Sequence, residues 1–424
     1  MGSATTRNQR LNYFEPFSES RRFGTRKPVR TYAWMTMTAK LSIDRATTTP
    51  LSPEVAEAMR PWLGGGTSIP AASGRRGRTA REALDRARGS VAALCGAPQE
   101  EIVFTASATE SNNLALKGIA AAAPRPGRLI AAATEHHSVL HPLRTLERLG
   151  HQVVLLPVDA HGAVDPEAVR RALRDGGGLV VSIAHASGEI GTLQPIADLA
   201  RVTREAGVPF HCDASLSLGH VPFPGPPDTP DLVTATAHLM GGPPGAAALR
   251  IRRGLRVRPL VEGGLQEGGL RAGTEALALL VGFGVAAERA GAAHLADAPG
   301  SAAATACRRR LLEILPDTRL TGHPETRLPG HLSLCLRGVE AEAVLLGLEE
   351  EGIEAGSGSA CTTEAGKPSH VLLALGIDPV LARGAVTLAF GAEHTPDDGR
   401  RAAEALGRVV PRLRSLSPFG PVGA

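Results

Sequence analysis

Between residues 101 and 250 the chain repeats one pattern, a short apolar run followed by a stretch in which apolar residues recur at helical spacing. The runs are Glu101–Phe104, Arg128–Ala132, His151–Leu156, Gly178–Ile183, Val208–His211, Leu232–Ala235 and Gly245–Arg250. Most are apolar throughout instead of alternating, which marks strands covered on both faces, and helices between them mark parallel connections. A helix is expected to start near Ser107 and another to run from about His137 to Leu149. A third is opened by Asp165-Pro166-Glu167, an N-cap followed by proline at the first helical position. From about Ser301 the pattern changes to helix, then strands at His331–Cys335 and Ala385–Ala389 with helices between and after. A large α/β domain over residues 41–295 and a smaller α+β domain over 296–424 follow, with the boundary in the Gly/Ala-rich stretch 291–304.

At 424 residues the chain is long enough for both cores, and with 3% aromatic residues those cores must be built from Leu, Val, Ile and Ala. No apolar run reaches the roughly 18 residues of a membrane helix. The longest, Ala276–Ala287, stops at Glu288, so a soluble protein is expected. Eight of the 46 Lys/Arg and two of the 42 Asp/Glu fall within residues 1–40, so the remainder carries a net charge of about −2 and no nucleic-acid footprint. Residues 1–40 are expected to be a disordered basic extension upstream of a start at Met35 or Met37, in preference to a transit-like leader. The five cysteines, Cys95, Cys212, Cys307, Cys335 and Cys361, are odd in number and widely spaced. That fits a reducing cytoplasm better than a disulfide framework or a zinc site.

Open parallel sheets bind ligands beyond the carboxyl ends of their strands, so the residues there are the candidate site. Ser107-Ala108-Thr109 begins a helix, where free amides and the helix dipole suit a phosphate, although taken alone a plain serine cap is the favoured reading. His136, in Thr134-Glu-His136-His137, is placed either to stack on a flat ring or to cap the next helix. His137 and His141 are four apart, but no acidic partner follows at motif spacing, so no metal is expected. Ser187 follows the strand ending at Ile183. Asp213 follows the strand ending at His211, either as a cap or as a partner for a pyridinium nitrogen.

In order along the chain, these segments resemble the cysteine desulfurases of the class V aminotransferase family. Ile43–Pro50 looks like their opening strand-turn, and Ile102–Gly118, with Thr109-Glu-Ser-Asn112, looks like their phosphate helix. Thr236-Ala-His238 looks like the triplet before their cofactor lysine. Arg271-Ala-Gly-Thr274 looks like the segment one subunit lends to its partner, and Gly356-Ser-Gly-Ser-Ala-Cys361 like the loop of the sulfur-accepting cysteine.

The resemblance implies fold type I, with a mainly parallel seven-stranded sheet in the large domain, and pyridoxal 5'-phosphate as cofactor. Ala108, Thr109, Thr236, His238 and the partner's Thr274 would hold its phosphate. Asp213 would face its ring nitrogen, His136 would stack on it and is, with Cys361, a candidate catalytic residue, and Ser187 stands where the family places an asparagine. Cys361 would be the nucleophile that takes up sulfur as a persulfide. A homodimer is implied, with a heterodimer with a lysine-bearing desulfurase and a sulfur-acceptor protein as further partners.

The departures cluster at the site. Leu239 stands where the family places the lysine that holds the cofactor as a Schiff base. Leu216 replaces a glutamine that bonds the cofactor's phenolic oxygen, and the substrate-carboxylate arginine is missing near Thr387 and Ala392. The only lysines are Lys27, Lys40, Lys117 and Lys367, and of these Lys367 alone is placed as a substitute. Cofactor is therefore expected to bind non-covalently at most, and ordinary desulfuration to be impaired or absent. Three readings remain: a sulfur-transfer protein working through Cys361, an inactive homologue serving as dimer partner or scaffold, and unusual chemistry starting from free cofactor.

Overall fold

The computed structural model of the chain describes residues 41–64, 68–293, 300–357 and 367–416. Lys40–Ala424 forms one compact unit. It opens with strand β1 (Leu41–Ser42) and helices α1 (Pro53–Leu63) and α2 (Gly74–Leu94), then alternates strand and helix. The series runs β2 (Ile102–Thr105), α3 (Ala108–Ala122), β3 (Arg128–Ala132), α4 (His137–Arg148), β4 (Gln152–Leu156), α5 (Pro166–Leu173), β5 (Gly178–Ser182), α6 (Ile196–Glu205), β6 (Phe210–Asp213), β7 (Leu232–Thr236) and β8 (Ala247–Ile251). These strands form a seven-stranded sheet in the order β2-β8-β7-β6-β5-β3-β4.

The sheet is parallel from β7 through β4, while β8 runs antiparallel to both β7 and β2. The reversal has a local cause. Only residues 237–246 separate β7 from β8, too few for a parallel crossover, which takes about a dozen residues or more.

Both faces of the sheet are covered, which explains the uniformly apolar runs. On one face Ile130, Val181, Phe210 and Val233 pack with Leu84, Val91 and Phe283. On the other, Leu129, Val180, Leu232 and Leu249 pack with Leu114, Leu116 and Leu143 of α3 and α4. Burying each such side chain contributes about 1.5–3 kcal/mol. Helix α7 (Leu277–Ala293) lies so close to α2 that a Cβ on Gly284 would sit 2.5 Å from the Ala87 Cα.

Beyond it, α8 (Ser301–Ile314), β9 (Arg319–Thr321), β10 (His331–Cys335), α9 (Ala341–Glu350), β11 (Ile353–Glu354), α10 (His370–Ala374), α11 (Pro379–Ala382), β12 (Ala385–Ala389) and α12 (Pro396–Leu416) complete the chain. An antiparallel β12-β10-β9 sheet packs on α8, α9 and α12 through Leu334, Val344, Leu388 and Leu406. Strand β1 joins this part of the molecule, pairing Leu41 with Ile353 and Ser42 with Glu354, and Asp44 bridges to Ala389. No helix among the described residues is long and apolar enough to cross a membrane.

Candidate functional site

The carboxyl ends of β2, β3, β5, β6 and β7 converge with the starts of α3 and α4. Ser107 caps α3, its hydroxyl accepting from the Glu110 amide at 3.2 Å. The first intrahelical bond runs from the Ser111 amide to the Ser107 carbonyl. The amides of Ala108 and Thr109 precede it, in the turn that has no intrahelical acceptors. Thr109 is exposed and Ala108 half-buried. The Glu110 carboxylate accepts from the Ala106 amide at 2.8 Å and from Arg271 at 3.0 Å. The loop bearing exposed Thr274 is thereby tied to this helix end.

Asp213, at the end of β6, is held on both oxygens. One accepts from the Ser215 amide at 3.0 Å and the Ser215 hydroxyl at 2.6 Å, and the other from the Asn112 side-chain amide at 2.6 Å. That amide also donates to the Ser138 hydroxyl at 2.8 Å. The Ser138 hydroxyl lies 2.7 Å from His136 Nδ1, and the same nitrogen accepts from the Ser138 backbone amide at 3.1 Å. Nδ1 therefore carries no proton, the hydroxyl donates to it, and a neutral His136 is protonated on Nε2. A polar chain thus links Asp213 to exposed His136 through Asn112 and Ser138.

Sequence reasoning passed over Asn112 and Ser138 as functional residues. A signal was present, because Asn112 shares the apolar α3 face with Ala115, Leu116 and Ile119 yet is polar. Its Oδ1 is buried without a partner.

Glu135 was missed as well. It is 2% exposed, with one carboxyl oxygen accepting from the Ala184 amide at 3.0 Å and the other unpartnered. Burial, with Asp213 adding to it, pushes its pKa up to about 8. Beside it stand His137, His141 and His370, with ring centroids 4.7 and 4.8 Å from His137. Burial and then the neighbouring His370 hold His137 down to about 4. His137 Nδ1 and His141 Nε2 lie 3.1 Å apart, and the His370 ring contacts the Glu135 carbonyl at 3.0 Å.

The β7–β8 connection carries the other half of the site. The Thr236 hydroxyl lies 2.9 Å from His238 Nδ1, and burial lowers the His238 pKa. Leu239 ends a short turn over Ala237–Leu239 and is 8% exposed. Its carbonyl accepts from His220 Nε2 at 2.7 Å.

Beside this turn opens a cleft of about 590 Å³ lined by Leu216, His220, Met240, Phe390 and Ala392. Leu216 packs with Ala186, Val221 and Leu328. Among the described residues two guanidiniums reach the cleft, and both are already paired, Arg45 with Glu393 at 2.6 Å and Arg289 with Glu54 at 2.6 Å. Ala392 lines the cleft, whereas Thr387 is 2% exposed in the middle of β12, its hydroxyl 3.4 Å from the Glu189 carbonyl. Ser187 is half-buried on the loop between β5 and α6, with its backbone paired to Thr192 and Gly191. Hydrogen bonds therefore join Asp213 to His136 across the α3 and α4 starts, pair Thr236 with His238 after β7, and tie the Thr274 loop to α3 through Arg271.

Cys361 lies outside the described residues. The other four cysteines are free and buried. Burial raises Cys95 and Cys307 to about 12 and Cys335 to about 11, and Cys212 is also raised by burial, so all four thiols stay protonated and unreactive near neutral pH.

The sequence profile of the class-V aminotransferases matches residues 42–398. The chain is 39% identical to cysteine desulfurase IscS of Dictyoglomus turgidum over 388 residues, 90% of this chain and 98% of that one. It is also 39% identical to cysteine desulfurase IscS of Methanosarcina thermophila over 383 residues, 89% and 94% of the two chains. Among solved structures, a NifS-like protein superposes with a TM-score of 0.80 at 28% identity, covering 88% of this chain and all of that one. SspA in complex with cysteine superposes with a TM-score of 0.73 at 32% identity, over 83% and 99%. Fold and sequence agree: the chain belongs to the class-V aminotransferase family, on its cysteine desulfurase side.

Proposed function

We propose that the chain is a desulfurase-type sulfur-transfer protein whose lysine-dependent turnover is impaired or absent and in which Cys361 carries sulfur as a persulfide. The observation that carries this reading is the buried leucine at position 239, directly after the Thr236–His238 pair, in a site whose other polar groups are assembled. The residues present fit pyridoxal 5'-phosphate held without a covalent bond. The Ala108 and Thr109 amides, Thr236, His238 and Thr274 of a second copy would hold its phosphate. Asp213, fixed by Asn112 and Ser215, would meet its ring nitrogen, His136 would lie against its ring, and Ser187 would stand at its edge. When bound, the cofactor supplies an electron sink.

The apolar Leu239 side chain transfers no proton, and a positioned base is worth about 10²- to 10⁴-fold in rate. The Arg45 and Arg289 pairings favour the same conclusion, because neither guanidinium on the cleft stands free for the carboxylate of cysteine. Sulfur reaches Cys361 instead by exchange. Its thiolate attacks the outer sulfur of a donor's persulfide, a new S–S bond forms at Cys361, and the donor leaves as a thiolate. No oxidant is consumed. A lysine-bearing desulfurase is the donor, in the cytoplasm, either free or as heterodimer partner. The paired arginines also favour a second reading, an inactive homologue acting as dimer partner.

The test incubates the purified chain with cysteine, pyridoxal phosphate and a lysine-bearing desulfurase, then reads Cys361 by mass spectrometry. A persulfide that depends on the second enzyme is expected. Brisk sulfide release by this chain alone sinks the reading, and an unmodified Cys361 leaves the dimer-partner role in its place.

A further inference from the structure

Away from the strand ends, Arg308 of α8, Arg319 of β9 and Arg327 of the β9–β10 connection line one cavity of about 230 Å³. Its remaining wall includes His161, Thr321 and Ile377, and no carboxylate is among its lining residues. None of the three arginines has a carboxylate partner among the described residues, whereas Arg45, Arg88, Arg250 and Arg414 do. Arg327 is the innermost. Among the described residues its terminal nitrogens reach carbonyls alone, those of Thr321, His323 and Ile190, at 3.4–3.5 Å, and its buried Nε meets no partner. Burial and the neighbouring Arg308 bring its pKa down to about 10, so it remains charged at neutral pH. The His161 ring lines the cavity too, edge-on to His323 with ring centroids 5.4 Å apart.

Like charges gathered around a hollow repel one another, and a buried guanidinium N–H without an acceptor is costly. One multivalent oxyanion relieves both. A single carboxylate pairs with one guanidinium fork, whereas a phosphate offers terminal oxygens to several at once. The volume sets the size of the ligand. It exceeds by several-fold the about 30 Å³ of a water molecule and falls below the roughly 300–1,000 Å³ of pockets that take drug-sized ligands.

We propose that Arg308, Arg319 and Arg327 form a binding site for a small phosphate monoester, separate from the cofactor's phosphate cup. The site backs onto the loop that carries Ser187 and Glu189, because Arg327 contacts the Ile190 carbonyl and Thr192 bridges to Arg327 in backbone pairing. Arg308 and Arg319 are exposed, so their charges can be removed without opening the core.

The experiment is calorimetric titration of the full chain with inorganic phosphate, with glycerol 3-phosphate and with malonate at constant ionic strength. Three proteins are compared: the parent, R308Q/R319Q, and T109A/T236V, which alters the cofactor cup. Circular dichroism melts establish that each is folded. Saturable binding by the parent, weakened about tenfold or more in R308Q/R319Q and unchanged in T109A/T236V, is expected. Absence of saturable binding in the millimolar range overturns the proposal. So does loss confined to T109A/T236V, which would put the anion in the cup, and so does equal affinity for malonate, which would remove the phosphate assignment.

Discussion

The Asn112 side-chain amide donates to the Asp213 carboxylate across 2.6 Å, joining residues 101 positions apart in the chain. Its second N–H goes to Ser138, so one buried amide sets the angle of the Asp213 carboxylate and, through Ser138, the tautomer of His136. Replacing Asn112 by Ala should cost about 1–3 kcal/mol of stability, because Asp213 and Ser138 each lose a partner. It should also weaken pyridoxal phosphate binding. Thermal melts with and without added cofactor read both effects, and an unchanged cofactor-induced shift would show that Asn112 serves the fold alone.

Leu239→Lys places an amine where the leucine is buried while leaving the His220 bond intact, since that bond is made to the backbone carbonyl. Burial lowers a lysine's pKa and raises its fraction of free amine. The variant should retain cofactor through desalting, seen as a visible absorbance band that the parent loses. Sulfide release should stay low, because Leu216 and Ala392 still line the cleft. Full desulfurase turnover from this one change would mean that they are irrelevant.

Glu135 predicts a pH signature. Its pKa is raised from 4.5 to about 8 in the folded chain, so above pH 4.5 the unfolded chain releases the proton first. Stability contributed by this group is therefore present below about 4.5, falls as pH rises, and is fully lost by about 8. The buried histidines act in the opposite direction below 6.5, since His185, His211 and His331 are held down to about 4. Only the difference between parent and Glu135→Gln isolates the glutamate. The melting temperature of the variant should gain on the parent's between pH 5 and 8, and parallel curves would refute the assignment.

Glu267 is the buried anchor of the loop that leads to Thr274. Its carboxylate accepts from Arg88 at 2.6 and 2.7 Å and from the Phe104 amide at 2.8 Å, and its side chain is 3% exposed. Removing one partner of such a pair costs about 3–5 kcal/mol. Glu267→Ala should lower the denaturant midpoint accordingly, while Glu267→Gln, which keeps an acceptor, should lose less. Equal losses would argue against the charge.

Much of this was legible in the sequence. Strands β3, β10 and β12 fall on the residues that their apolar runs predict, and Asp165 caps α5 by accepting from the Glu167 amide at 2.9 Å. Such features depend on neighbours in the chain. The reversal of β8 was not read, although the short residue 237–246 connection implies it. Asn112, Glu135 and the three cavity arginines escaped for a different reason. Their meaning lies in partners that are distant in sequence, and a single chain gives no periodicity that brings Asn112 to Asp213 or Arg308 to Arg327.

The pairing of β1 with β11 also orders events during synthesis. Residues 45–53 form one wall of the cleft beside Leu239, and they are moored through Leu41, Ser42 and Asp44 to Ile353, Glu354 and Ala389. At about 5–20 residues per second, the ribosome takes on the order of tens of seconds to make that mooring after the wall has emerged. The first strand of the compact unit to leave the ribosome is thus among the last to be paired, whereas the wall it leads into meets the earlier-made β7–β8 connection through Thr49 and Ser52, which bond His238 and Gly241.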